Sequence, residues 1–184
     1  MDEQQAIQQL KRGDISGLEI LVNEYQVRAV RTAYLITRDV ALAEDVAQDA
    51  FLQAYHSIRH FDQDRPFGPW FLRSVVNAAV KTAQKAARQV PASPASDDST
   101  LEDLLTTGVS VEEQAESVEL QRQIWEAMQS LSPRQRAVIV QRYFLDMSEK
   151  EMAAELETKP GTIKWLLHEA RQRLRSLLSE RIKK

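Results

Sequence analysis

The pattern of apolar positions along the chain is helical almost throughout. Apolar residues recur three and four positions apart, only five of the 184 residues are glycine, and no alternating pattern typical of strands extends over a useful length. This spacing predicts an all-α fold. The predicted helices span residues 2–12, 15–36, 39–60, 69–89, 112–129, 133–145, 148–156 and 160–181.

Two of the predicted helices have recognisable start signals. Ser132 precedes Pro133, which combines a capping hydroxyl with a proline suited to the first helical position. Ser148 is followed three residues later by Glu151, the spacing of a capping box.

A stretch of different composition separates the helices into two blocks. Residues 90–100 are rich in proline, serine and aspartate, and residues 91–117 contain seven acidic and no basic side chains. Such a segment buries too little apolar surface to form a core. We therefore predict two small helical domains, residues 1–90 and 112–184, joined by an acidic linker at 91–111. The 13 basic and 9 acidic residues of 118–184 make the C-terminal part basic, although the whole chain has a net charge of −3.

The predicted helix 39–60 has an apolar face and a polar face. Its core side is lined by Ala43, Val46, Ala47, Ala50, Phe51, Ala54 and Ile58. The opposite side places apolar Leu52 among acidic and amide side chains, with an aromatic ring at its edge. This pattern fits a solvated surface or a protein docking surface. We call the set the docking face; its members are Asp45, Gln48, Asp49, Leu52 and Tyr55.

The predicted helix 69–89 has a stripe of basic and amide side chains opposite its apolar face. A row of like charges without an acid repels itself unless a negative partner lies against it, and a phosphate backbone is such a partner. We call this set the basic stripe. It consists of Arg73, Asn77, Lys81, Lys85 and Arg88. Trp70 lies on the same side and is either a stacking platform for an unpaired base or, as we favour, a core aromatic residue that closes the start of the helix.

The last two predicted helices form a helix-turn-helix pattern, in which Pro160-Gly161 turns the chain. In the second of them, the recognition helix 160–181, Ile163, Leu166, Leu167, Ala170 and Leu174 face inward. Lys164, Trp165 and His168 face outward in the first two turns and are the candidate base readers, whereas Arg171 and Arg175 are placed to hold phosphates. An ordinary C-terminal helix with a solvated basic face is the alternative.

Other chemistry has little support in the sequence. There is no cysteine, which excludes disulfides and thiolate metal sites, and no apolar run is long enough to span a membrane. No secretory signal is expected from residues 1–14. His56 and His60 have a spacing that can hold zinc, but no third ligand is evident. No cofactor, no metal and no catalytic activity are therefore expected.

Four segments together resemble one protein family, the extracytoplasmic-function (ECF, group 4) sigma factors of bacterial RNA polymerase. "RGDISGLEILVNEY" resembles the opening helices of that family, "AEDVAQDAFLQAYHSIRHFD" its polymerase-docking segment, and "FGPWFLRSVVNAA" its minus-ten segment. Residues 120–174, from "LQRQIWEAM" to "HEARQRL", are similar to its minus-thirty-five domain. The four segments occur in the order of the family, and a linker stands where the family has one.

The resemblance implies a role for each surface. The docking face would bind core RNA polymerase, and the loop "FDQDRPFGPW" would hold a base flipped from the minus-ten strand. The implied minus-ten residues are Phe61, Asp64, Phe67, Trp70, Arg73, Asn77, Lys81 and Lys85. The implied minus-thirty-five residues are Pro160, Gly161, Thr162, Lys164, Trp165, His168, Arg171 and Arg175. An anti-sigma factor would be a further partner, and the location would be the bacterial cytoplasm.

The recognition helix departs from the family pattern at three positions. After "GTIK" the family has Ser-Arg and then Leu-His-Arg, whereas this chain has Trp165-Leu166 and then Leu167-His168-Glu169. Two arginines are absent and a glutamate stands near the expected phosphates, so both affinity and sequence preference are open. A stand-alone helix-turn-helix regulator that never binds polymerase is the alternative function, but it leaves the docking face without a role.

Overall fold

The computed structural model describes residues 2–89 and 123–182, and the side chains of 2–88 and 123–177. Within these ranges all regular elements are helical and no strand occurs, which confirms the predicted all-α class. The helices are α1 (Glu3–Lys11), α2 (Ser16–Thr37), α3 (Val40–Ser57), α4 (Phe67–Gln89), α5 (123–129), α6 (Pro133–Tyr143), α7 (Glu149–Glu155) and α8 (Pro160–Ile182). The predicted linker 91–111 and residues 112–122 of the predicted helix 112–129 lie outside the described residues.

The chain divides into two compact units, Met1–Thr82 and Ala83–Lys184. The division falls within α4, which begins in the front unit. The predicted domain limits at residues 90 and 112 therefore remain predictions. In the described part of the chain, no helix has both the length and the apolar character needed to cross a membrane.

Side-chain caps begin two helices of the front unit, α1 and α3. Asp2 accepts a hydrogen bond from the backbone N–H of Gln5, whose side chain in turn accepts from the N–H of Asp2. Asp39 caps α3 by accepting from the N–H of Leu42 at 2.9 Å. These caps satisfy backbone donors that have no partner within the helix, so polar residues outside the core determine where α1 and α3 begin.

Aromatic rings fill the core of the front unit where α2, α3 and α4 bring them together. Phe71 is fully buried, and its ring centroid lies 4.5 Å from that of Phe51 and 5.6 Å from that of Phe67. Tyr25 meets Phe67 edge-on at 5.4 Å. Ring pairs of this kind add to the free energy gained from burial, so the cluster fixes the start of α4 against the rest of the unit.

The rear unit confirms both predicted helix starts. Ser132 and Gln135 form a capping box at the start of α6, with Pro133 in the first turn, and Ser148 and Glu151 form another at the start of α7. Among the described residues of this unit the core is apolar apart from Gln141 and Arg136, and the Nη1 of Arg136 donates to the carbonyl oxygen of Leu131 at 2.6 Å. Its largest fully buried side chains are Met147, Met152, Ile163, Leu167 and Gln141.

At two prolines the structure differs from the prediction: the start of α4 moves, whereas α8 begins at Pro160 as predicted but without a turn at that residue. Helix α4 begins at Phe67, two residues before Pro69. Proline is compatible with any position of the first turn, since none of the N–H groups there has a partner within the helix. Pro160 and Gly161, predicted to turn the chain, are instead the first two residues of α8. The turn before them is made by Glu157, whose φ of 48° lies in the left-handed region.

Smaller differences concern helix ends and burial. The predicted helix 39–60 is α-helical only to Ser57 and ends in a 3-10 turn at Ile58–His60, and the predicted helix 133–145 ends at Tyr143. Leu174, predicted to face inward, is half-buried. Helix ends are determined by local hydrogen bonds and caps rather than by apolar spacing, so the pattern defined these positions least well.

Candidate polymerase-docking and nucleic-acid interfaces

The two predicted faces of α3 are confirmed side chain by side chain. All seven residues of the predicted core side, from Ala43 to Ile58, are buried. On the docking face Asp45, Gln48 and Asp49 are exposed and Tyr55 is half-buried. Leu52 is 49% exposed, so this face offers an apolar centre with acidic and amide neighbours. The same face extends to His56 and Arg59, which are also exposed.

The side chains of the basic stripe differ in exposure between the two halves of α4. Lys81, Lys85 and Arg88 are exposed, whereas Arg73 and Asn77 are half-buried and have interactions within the protein. The exposed cations therefore belong to the second half of α4, where they can contact phosphates. The two residues nearer the start are held closer to the core and have less freedom to move.

The aromatic residues predicted to meet the minus-ten strand are mostly inside the front unit. Phe61 is 4% exposed and Phe67 is 1% exposed. Trp70 is half-buried, with its ring centroid 4.9 Å from that of Phe61 and 5.5 Å from that of Phe67. A direct contact between DNA and either phenylalanine would require that ring to become exposed. Our interpretation of Trp70 as an aromatic residue that packs at the start of the helix agrees with this cluster.

The loop between the 3-10 turn and α4, residues 61–66, is shorter than the predicted loop 61–70. Its polar side chains Asp62, Asp64 and Arg65 are exposed, and Arg65 Nε forms an ion pair with Asp62 at 3.3 Å. Both of these side chains are more than half exposed, so the pair contributes at most about 1 kcal/mol to stability. Next to α1 the loop forms one side of a cleft of about 490 Å³.

The outward side of α8 is as predicted. Lys164, His168, Arg171 and Arg175 follow one another on a single exposed face, with Trp165 beside them at 59% exposure. Pro160 and Gly161 are exposed and Thr162 is half-buried, at the start of the helix. Ile163, Leu166, Leu167 and Ala170 are buried on the other side. The exposed side of α8 therefore carries basic and aromatic side chains along three turns.

One contact of this face was not predicted from the sequence. Arg171 Nε donates to the hydroxyl oxygen of Tyr143 at 3.0 Å, and the guanidinium carbon lies 5.8 Å from the centroid of the Tyr143 ring. Tyr143 ends α6 and is 60% exposed, next to Phe144 at 63%. The two partners are 28 residues apart, a separation at which helical periodicity gives no signal.

The two histidines with a zinc-like spacing belong to no metal-binding cluster in the part of the chain that the structure describes. His56 and His60 are both exposed near the end of α3. Within residues 2–89 and 123–182, no group of three or more histidine or acidic side chains comes close enough to hold a metal ion.

Comparison with known proteins identifies the family. The model of Sigma-70 region 2 matches residues 21–89, and that of Sigma-70, region 4 matches residues 121–174. The chain is 30% identical over 178 residues to the ECF RNA polymerase sigma factor SigW of Bacillus subtilis, with 95% of each chain covered. The chain belongs to the ECF family of RNA polymerase sigma factors. This sigma factor is also 27% identical to the sigma-E factor of Escherichia coli K12, over 94% of its own chain and 92% of the relative.

Solved structures support the fold of this sigma factor. The sigma factor RpoE, solved with the anti-sigma factor NepR from Bartonella quintana, is 24% identical, with a TM-score of 0.60 and coverage of 88% of this chain and 98% of that one. CnrH, solved with the cytosolic domain of CnrY, has the same TM-score of 0.60 at 23% identity, and 97% of each chain is covered. As a member of the family, the protein is an initiation factor that directs RNA polymerase to promoters.

Proposed function

We propose that this sigma factor works through three separate surfaces. The docking face of α3 binds core RNA polymerase. The loop 61–66 together with the basic stripe of α4 opens and reads the minus-ten element, and the outward face of α8 reads the minus-thirty-five element. The docking face, the basic stripe and the outward face of α8 each lie on a helix whose opposite side is buried, so the helix is held rigidly while its outer side chains remain available.

The observation that supports the proposal most strongly is the exposure of Leu52. Leu52 is 49% exposed on a helix with a fully buried opposite face, so it leaves apolar surface in water. Burying that surface against a partner would gain about 25 cal/mol of free energy per Å². Asp45, Gln48 and Asp49 surround it. An apolar centre with a polar rim is the composition of a protein–protein interface, in which the centre supplies affinity and the charges supply orientation.

For the minus-ten element, we propose that the loop 61–66 and the two halves of α4 have different roles. The exposed Lys81 and Lys85 neutralise phosphates of the melted strand, a contribution that weakens as salt rises. Asp64 and Trp70 lie at the loop, while the half-buried Arg73 and Asn77 provide contacts of fixed orientation. The buried rings of Phe61 and Phe67 support the loop from beneath rather than touching a base.

For the minus-thirty-five element, we propose that α8 enters the major groove with its N-terminal end. Lys164, Trp165 and His168 then face base edges, and Arg171 and Arg175 face the phosphate backbone. Pro160, Gly161 and Thr162 bring the backbone at the start of the helix close to the strand. The ring of Trp165 is suited to the methyl groups of thymines, which makes a T-containing element the preferred target.

The partners that we propose are core RNA polymerase, promoter DNA and an anti-sigma factor. RpoE of Bartonella quintana was solved with an anti-sigma factor, and an inhibitor of this kind would cover the docking face until it is released. We propose a cytoplasmic location and no catalytic activity for the chain itself, since an initiation factor of this family acts by binding.

The proposal is tested by measuring the binding of the full chain to purified core RNA polymerase. Asp49→Ala and Leu52→Ala should each weaken binding by at least about tenfold, as expected for residues at the centre of an interface. Glu19→Ala, an exposed acid on α2, is the matched control and should bind like the unaltered protein. Full binding by both α3 variants would overturn the assignment of the docking face.

The same experiment separates the alternative function. A stand-alone helix-turn-helix regulator would bind duplex DNA through α8 without any affinity for core polymerase. Failure of the unaltered chain to bind polymerase, combined with sequence-specific duplex binding, would favour that alternative.

A further inference from the structure

Helix α1 holds the beginning of the loop 61–66. Lys11 Nζ, in the last turn of α1, donates to the carbonyl oxygen of Phe61 at 2.6 Å, although the two residues are 50 positions apart. This charge-assisted hydrogen bond is partly buried, where such bonds are strong. The first residue of the loop is therefore fixed to α1.

Helix α1 also reaches the end of the loop, through Tyr25. Glu3 in the first turn of α1 accepts a hydrogen bond from the Tyr25 hydroxyl. Tyr25 is buried and packs so closely under Gly68 that a Cβ there would lie 2.9 Å from its ring. The loop therefore has both of its ends tied, directly or through one side chain, to the same short helix.

A cleft of about 490 Å³ separates α1 from the loop, within the range of roughly 300–1,000 Å³ common for small-ligand sites. Glu3, Gln4 and Gln8 line it from α1, and Asp64 and Arg65 line it from the loop. Gln4 and Gln8 are exposed, so their carboxamides are available to a ligand. An amide group both donates and accepts hydrogen bonds, the combination needed to read the edge of a base.

We propose that α1 is the second wall of the site for the flipped minus-ten base, and that Gln4 and Gln8 determine which base it accepts. This inference rests on the function proposed above, which assigns the loop to the minus-ten strand. A flipped base is read by hydrogen bonds to its Watson–Crick edge, and the cleft is lined by the α1 amides on one side and by Asp64 on the other.

The charges of the cleft define the class of base. Arg65, the cation of the lining, forms an ion pair with Asp62. Glu3 and Asp64 are carboxylates, which accept hydrogen bonds but do not donate them, and they disfavour a phosphate inside the cleft. An exocyclic amino group is the complementary donor. The site should therefore prefer a base whose Watson–Crick edge bears an amino group and should discriminate against thymine.

The test uses the complete sigma factor with core RNA polymerase on promoters randomised across the minus-ten element, followed by sequencing of the transcribed templates. The Gln4→Ala, Gln8→Ala double variant should lose preference at one position, by at least about threefold, and keep the preferences at the others. Asp64→Asn should move that same position towards thymine. Gln26→Ala, an exposed glutamine on α2, is the control and should keep every preference.

Each result decides the proposal. Unchanged preference in the double variant overturns the reading role of α1, and an equal loss at all positions overturns it as well, because a general defect is structural. Unchanged preference in Asp64→Asn overturns the assignment of the amino group. If the unaltered protein supports no selective transcription at all, the proposed function itself fails, a result distinct from the others.

Discussion

Arg171 and Tyr143 form a paired contact on the outer surface of the rear unit. The guanidinium donates from Nε to the tyrosine hydroxyl at 3.0 Å and lies over the ring at 5.8 Å from its centroid. Nε is thereby engaged, and the two terminal nitrogens remain directed away from it, as the planar fork of arginine requires. We therefore propose that Tyr143 orients Arg171 for a phosphate before DNA is bound.

We expect Tyr143→Phe to weaken binding to minus-thirty-five duplex by about two- to tenfold, because ordering a free long side chain costs about 0.5–1.5 kcal/mol. In the Arg171→Ala background the same substitution should cause no further loss. Fluorescence anisotropy with a labelled duplex gives the four affinities. A full additional loss in that background would show that Tyr143 acts independently of Arg171.

Replacing Lys164 is predicted to lower transcription from the preferred promoter. Its side chain is exposed in the second turn of α8, where we place a base edge. Lys164→Ala should lower run-off transcription from the preferred promoter by at least about fivefold. Lys150→Ala, which removes an exposed lysine of α7, should leave it unchanged. Equal transcription by both variants would mean that the recognition helix is misplaced.

Gly17 is predicted to be essential for packing α1 against α2. A Cβ at this position would overlap the carbonyl oxygen of Ala6 and lie 3.1 Å from Leu10 Cγ. Because the obstacle is backbone, Gly17→Ala should lower the free energy of unfolding by roughly 3 kcal/mol. A Cβ added at Gly161 would meet open space, with no neighbour from the described residues within 4 Å, so Gly161→Ala should not lower stability. Urea denaturation followed by circular dichroism checks both, and equal midpoints would contradict the prediction.

Tyr25 predicts a pH dependence of stability in the alkaline range. Burial raises the pKa of its phenol well above the ordinary value, and the hydrogen bond to Glu3 raises it further. A group whose pKa is raised on folding stabilises the protein fully below its unfolded pKa, about 10 for tyrosine, and this contribution is lost as pH rises towards the folded pKa.

The urea midpoint of the unaltered protein should therefore fall above pH 10 more steeply than that of Tyr25→Phe, whose side chain has no proton to lose. Measurements at pH 8, 10 and 11 compare the two slopes. Parallel curves would show that the Tyr25 proton is not linked to folding.

The two faces of α3 show what the sequence was able to predict. From Ala43 to Ile58 the core side follows the helical period without interruption, because a helix turns by about 100° per residue and burial selects one side. The capping boxes at Ser132 and Ser148 could also be predicted from the sequence, since they depend on residues three positions apart. Local chemistry of this kind needs no knowledge of the tertiary structure.

The contacts between residues on separate elements could not be predicted from the sequence. Lys11 meets Phe61, and Arg171 meets Tyr143, only because separate helices pack together. The burial of Phe61 and Phe67 beneath the loop depends equally on tertiary packing. The left-handed conformation of Glu157 was also missed, because a proline and a glycine three and four residues later were the stronger turn signals.

The most direct test of the account is transcription by core RNA polymerase on a library of randomised promoters, with and without the purified protein. We predict that the protein selects templates with two conserved blocks, near minus ten and minus thirty-five, and that Leu52→Ala abolishes the selection while Lys164→Ala removes only the upstream block. Transcription that is the same with and without the protein, or blocks that are indifferent to both substitutions, would contradict it.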